Sequence, residues 1–203
     1  VQSSAPLKKP ASPQEVALYC IGLTRIGAFA EAEQRLKALS ALKSTDVQFA
    51  LGSLYIWTWE YKKALRPFRR YLAAKTLDDY ARLVGRVNLL ACMMTCGPTP
   101  EAFAYGNELL RELPPGQTSL LRANTLEIFA QGLQRQERFL EAEACLREAH
   151  DILRDSGSDF EILAKKWSLI IEMRSKKHVD ESRWRALRQT CQSRGNFEIV
   201  REL

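Results

Sequence analysis

Five times along the chain an apolar helical pattern breaks, turns and restarts as a second helix with a small residue near its beginning. The breaks read GAFAEAE (27–33), WEYKKAL (59–65), GPTPEAF (97–103), ERFLEAE (137–143) and HVDESRW (178–184). The small residues are Ala32, Ala64, Ala102, Ala142 and Ser182, separated by 32, 38, 40 and 40 positions. A small side chain is needed where paired helices come closest, because a bulkier one holds their axes apart. A period of this length describes a unit that cannot bury its own apolar face and must stack on its neighbours. No run sustains the strict alternation of a half-buried strand. The expectation is an all-α chain of about five helix pairs.

The second unit carries the fullest pattern. Leu51-Gly52, Tyr55, Ala64 and Phe68 match in type and spacing the signature of the tetratricopeptide repeat. The first unit keeps Leu23, Ala32 and Leu36, with Tyr19-Cys20 in place of Leu-Gly. The fourth keeps Phe129-Ala130, Leu133, Ala142, Leu146 and Ala149, and the third and fifth are degenerate. Residues 13–194 therefore resemble the tetratricopeptide (TPR-like) family. The resemblance implies a right-handed superhelical solenoid of antiparallel helix pairs. Residues 1–12, rich in Ser, Pro and Lys, read as a flexible leader, and 195–203 as a terminal capping helix or the start of a following segment. The apolar ending at Leu203 favours continuation of the chain.

Helix signals agree with these divisions. Ser12, Pro13 and Glu15 form a capping-box pattern, and Thr99, Pro100 and Glu101 repeat its logic. ELPPGQT (112–118) and DSGSD (155–159) are turn-forming breaks. Pro67 falls inside the second helix of the second unit, where its ring costs about 3 kcal/mol; a kink or a late helix start is expected there.

In an array of this kind the first helix of each pair lines the concave groove. The resemblance places Gln14, Ala17, Ile21, Thr24 and Arg25 there from the first unit, and Asp46, Phe49, Ser53, Ile56 and Trp57 from the second. The fourth offers Asn124, Glu127, Gln131, Gln134 and Arg135, and the fifth Trp167, Ile171 and Arg174. The candidate partner-binding residues are Arg25, Phe49, Ser53, Trp57, Asn124, Glu127, Gln131, Gln134, Trp167 and Arg174. One use of this fold clamps a terminal carboxylate with lysine and asparagine, but here Ala17 and Ile21 stand at those places. Burial against a neighbouring repeat is the competing reading for Phe49 and Trp57.

Enzyme chemistry finds no foothold. There is no phosphate-cradling glycine loop, no HExxH and no nucleophile elbow, and carboxylates at helical spacing read as solvated faces. His150 reads as a residue near a helix end. The five cysteines form no tight framework, which argues against a disulfide-stapled secreted domain and for a reducing cytoplasm. Cys92 and Cys96, four apart, read as inward-facing small hydrophobes rather than a metal or redox pair. No cofactor is called for, and no apolar run reaches the length of a membrane span.

The expected function is non-enzymatic: a protein-interaction module binding a peptide or partner helix in its groove, as the regulatory or sensor segment of a longer bacterial protein. A self-associating assembly scaffold is the alternative. Thirty basic against 24 acidic residues give +6, which favours acidic partners over long range. The charge looks dispersed, however, and nucleic-acid binding through Lys165-Lys166 and Arg174-Ser175-Lys176-Lys177 is the weaker third reading.

Overall fold

The structure is a computed structural model that describes residues 11–42, 44–113, 120–154, 156, 158–176 and 180–194. The expectations for residues 1–10, for His178, for the capping segment 195–203 and for the turn at 114–118 lie outside the described residues. What is described is all-α. Among the described residues there are ten helices and no strand: α1 (Pro13–Arg25), α2 (Phe29–Leu39), α3 (Thr45–Trp57), α4 (Tyr61–Leu72), α5 (Asp79–Cys96), α6 (Pro100–Glu112), α7 (Leu120–Arg135), α8 (Phe139–Leu153), α9 (Asp159–Lys176) and α10 (Glu181–Ser193). None of the described helices is long and apolar enough to cross a membrane.

The chain divides into two compact units, Val1–Gly85 and Arg86–Leu203, with the division inside α5. In the first unit α1 packs on α2 and α3, and α3 on α2 and α4. Its core holds Cys20, Leu36, Val47, Leu54 and Phe68, all sealed from solvent. In the second unit α7 packs on α6, α8 and α9, α8 packs on α9, and α9 on α10.

Local chemistry explains the helix starts. Ser12 Oγ accepts from the Glu15 amide (3.2 Å) while Glu15 Oε2 accepts from the Ser12 amide (2.7 Å), the reciprocal box its sequence announces. Thr99 Oγ1 accepts from the Ala102 amide (3.2 Å). Here the acid falls one residue short of the returning position, so the cap is one-sided. Ser44 caps α3 and Asp180 caps α10.

The starts of α2, α4 and α8 have no side-chain cap. A single backbone joint serves all three. Two residues past the first helix the chain enters the left-handed region, at Gly27 (φ 83°), Trp59 (φ 62°) and Glu137 (φ 60°). The next amide then reaches back five residues: Ala28 to the Leu23 carbonyl (2.9 Å), Glu60 to Tyr55 (2.7 Å) and Arg138 to Leu133 (3.0 Å). This is the helix-stop bonding that satisfies orphan carbonyls. An aromatic residue, Phe29, Tyr61 or Phe139, then opens the second helix.

Four of the five small residues do what their spacing predicts: Ala32, Ala64, Ala102 and Ala142 are wholly buried. Ser182 does not. It is exposed in the first turn of α10, its amide bonded to Asp180. In α2, α4 and α8 the buried alanine is the fourth helical residue; in α10 that place belongs to Trp184. Trp184 packs with Leu163 against Ile162, Leu169, Leu187 and Cys191. A tryptophan there rules out the close approach an alanine allows.

One further expectation is narrowed and another needs correction. α4 runs as one helix from Tyr61 to Leu72 with Pro67 inside it and buried, which excludes the late start and leaves the kink as the expectation. Cys92 is buried, but Cys96, the last residue of α5, is exposed; the two thiols do not share an environment. Burial pushes the Cys92 thiol up to about 12.

Candidate functional site

The candidate residues fall into two sets, one in each unit. In the first unit Arg25 is exposed in the last turn of α1, Ser53 is half-buried and Trp57 is exposed at the end of α3. Phe49 is half-buried and turned onto α4: its ring lies 6.0 Å from Phe68 edge-on and 5.1 Å from Tyr71. That aromatic packing lies within its own helix pair and not against a neighbouring repeat, while Trp57 stays 41% exposed. Ala17 and Thr24, also placed on the groove by resemblance, are buried. The Thr24 hydroxyl donates back to the Cys20 carbonyl (2.8 Å).

In the second unit five candidates come together where α7 meets α9. Glu127 is buried, 5% exposed, and accepts from Gln131 Nε2 at 2.7 Å. Burial pushes its carboxyl up to about 7, opposed by the Gln131 hydrogen bond, the positive charge of Lys166 and a hydrogen bond from Trp167. Desolvation disfavours the ionised form strongly enough to outweigh these three. Lys166 is itself buried, its ammonium 5.3 Å from the Trp167 ring centre. One helical turn further along, the Gln134 amide oxygen accepts from Arg174 Nη1 and from Arg174 Nε (2.9 Å), the amide orientation being the one the donors require. Asn124 lies on the same helix, half-buried.

The spacing 124, 127, 131, 134 is one face of a helix, and all four residues lie on α7. What it did not reveal is depth. Glu127 and Gln134 are buried and already bonded within the unit; Asn124, Gln131 and Trp167 are half-buried above them, and Arg174 is exposed. Arg135, also placed on the groove by resemblance, donates to the carbonyls of Met94 (3.2 Å) and Thr95 (2.6 Å) at the end of α5.

Two polar contacts escaped sequence reasoning. Arg122 is buried at the start of α7; it donates to Glu148 Oε1 (2.7 Å), to the Leu110 carbonyl (2.9 Å) and to the Leu113 carbonyl. It thereby satisfies carbonyls at the end of α6, a need every helix end has. His150 Nε2 shares a hydrogen bond with Ser168 Oγ (3.0 Å), and burial, then Lys165, lowers its pKa. This pair sits in the bodies of α8 and α9, where backbone amides are spent on the helices. An oxyanion would find no free amides beside it. Among the described residues no group of three or more His, Cys, Asp or Glu side chains could hold a metal ion.

Among the described residues, the cations of the third-reading basic clusters are paired, buried or bonded, while Lys177 lies outside the described residues. Lys165 pairs with Glu161 (2.7 Å), Lys176 with Glu172 (3.4 Å), Lys166 is buried and Arg174 is bonded to Gln134. No protein-family model matches the chain, and no curated protein matches it in sequence.

Proposed function

We infer that the chain is a tetratricopeptide-like interaction module that binds a peptide or a partner helix without chemistry, through faces built by the first helices of its pairs. The reading includes a right-handed solenoid of antiparallel pairs, placement in a reducing cytoplasm and a regulatory role within a longer bacterial protein. Supporting the repeat are the joint shared by three pairs, the four buried alanines, and the packing of first helix on first helix at α1–α3 and α7–α9.

The observation that carries the binding reading is the α7–α9 face. Gln131 and Trp167, both half-buried, bond to Glu127, a carboxyl poised to ionise near neutrality, and the half-buried Asn124 lies one turn away on the same helix. An apolar ligand side chain can lie on the indole, while the amides meet peptide N–H and C=O groups. A ligand donor reaching Glu127 would favour its ionised form.

The test begins with peptides selected from a display library on the full chain, their affinities then measured by calorimetry. Gln131→Ala is expected to weaken peptides held by the second unit about 10-fold, and Trp57→Ala those held by the first, each the loss of roughly one good contact. Circular dichroism should remain unchanged. Unaltered affinities after both substitutions would refute the reading.

A further inference from the structure

We propose that the exposed face of α4, headed by Trp59, is a docking surface for single-stranded nucleic acid. It is separate from the first-helix faces and does not depend on them.

α4 reads YKKALRPFRRYL: five basic residues and no acidic one in twelve. At about 100° per residue, Lys62, Arg66, Arg69 and Arg70 project within roughly 100° of arc. The opposite side carries the buried Ala64, Pro67, Phe68 and Tyr71. All four cations are exposed, and among the described residues no carboxylate pairs with them; Lys63 alone is taken, by Glu60. Elsewhere several residues of the same types are neutralised along their own helices, as in Arg35–Glu31, Lys37–Glu33, Lys165–Glu161 and Arg185–Glu181, and those without a carboxylate, such as Arg25, Arg147 and Arg188, stand singly on helices that also carry acids. Like charges four apart, at Lys62–Arg66 and Arg66–Arg70, weaken a helix. Folding gains nothing from this stripe.

Trp59 adds a second, independent cost. It stands 68% exposed in the left-handed region, at the turn position that Gly27 fills in the first pair. A bulky residue is rarely found there; Glu137 holds the equivalent position with φ 60°, so what sets Trp59 apart is the exposed ring it displays. Tyr61, edge-on at 6.3 Å, is its ring neighbour, and Lys62 follows directly.

A flat indole beside a row of cations is what a single strand needs: bases stack on the ring and phosphates follow the charges. Lys62 to Arg70 spans about 12 Å, over which a stacked strand presents three or four phosphates. An acidic peptide would complement the charge but leave the displayed tryptophan unexplained. An anionic bilayer would require an apolar helix face, and that of α4 is already buried.

Anisotropy of fluorescein-labelled dT20 with the full chain tests this. Raising salt from 50 to 200 mM should weaken binding about 50-fold if four phosphates are neutralised. The triple substitution Arg66→Gln, Arg69→Gln, Arg70→Gln should abolish most of that salt dependence. A control removing three paired charges (Arg35→Gln, Lys37→Gln, Lys165→Gln) should retain it, which separates the stripe from net charge. Trp59→Gly, which relieves the backbone and so keeps the fold, should weaken binding about 5- to 100-fold with the salt slope intact. No binding of dT20 at 50 mM salt, equal losses in the two triples, or capture of polyglutamate or phosphatidylserine vesicles in place of dT20 overturns the proposal.

Discussion

The ring of Phe68 lies directly over the α-carbon of Gly52: a methyl group at Gly52 would sit 2.8 Å from two of its ring carbons. Phe68 is fully buried, so the ring has nowhere to swing. Sixteen residues also separate Ala130 from Leu146 and Cys20 from Leu36, all four buried. Where the second helix carries its largest side chain, the first carries its smallest. Gly52→Ala should therefore cost about 1–2 kcal/mol, overpacking outweighing the gain in helix propensity. Adding Phe68→Leu, the pairing of the fourth unit, should recover most of that loss. Urea midpoints of the single and double variants check both.

Glu137 adopts φ 60° at the place where the first pair has Gly27. Left-handed backbone costs a side-chain-bearing residue about 1–2 kcal/mol, of which glycine's greater unfolded-state freedom cancels a part. Glu137→Gly should stabilise the chain by about 0.5–1 kcal/mol. Gly27→Ala should destabilise it by a similar amount. Thermal melts should show opposite shifts.

The Glu127 carboxyl, raised to about 7 from 4.5, makes stability depend on pH. Between those values the folded chain holds a proton that the unfolded chain has released, so stability falls as pH rises through the window. The loss is complete above the folded value and is on the order of 3 kcal/mol. His150, its pKa lowered from 6.5, works in the opposite sense, because its protonation below 6.5 favours unfolding. Comparison with Glu127→Gln at pH 5 and pH 8 isolates the carboxyl. The variant should gain on the wild type at pH 8 and not at pH 5, as read by denaturant midpoints.

Arg122 holds carbonyls at the end of α6 and Glu148 on α8 from one buried position. Arg122→Ala should cost about 3 kcal/mol, because two helix-end carbonyls and a carboxylate lose their partner together. Arg122→Lys should recover little, since an ammonium cannot supply the forked set of donors. Hydrogen exchange of the α6 and α7 amides would report the loosening.

Legibility in the sequence followed the range of each interaction. The alanines at 32, 64, 102 and 142 could be found because a small residue at close approach is a local rule. Ser182 satisfied the rule in type only, and the start of α10 at Glu181 moved Trp184 into the decisive place. The shared joint announced itself at Gly27 alone, since nothing in the letters Trp59 or Glu137 signals left-handed backbone. The depth of Glu127 and Gln134 was hidden for another reason. Polar residues at helical spacing look solvated until a distant helix, here α9, covers them. The α4 stripe was in plain view, but a net charge of +6 spread over 203 residues conceals a helix with no acid in it.

The three joints hold by backbone alone: the amide that reaches back five residues asks nothing of any side chain in the turn. Glycine, tryptophan and glutamate consequently occupy one geometry, and the turn is released from specifying the fold. Segments 23–32, 55–64 and 133–142 are thus interchangeable parts. Such a corner can display an aromatic plate in one copy and a charge in another while the backbone bond that closes it stays the same.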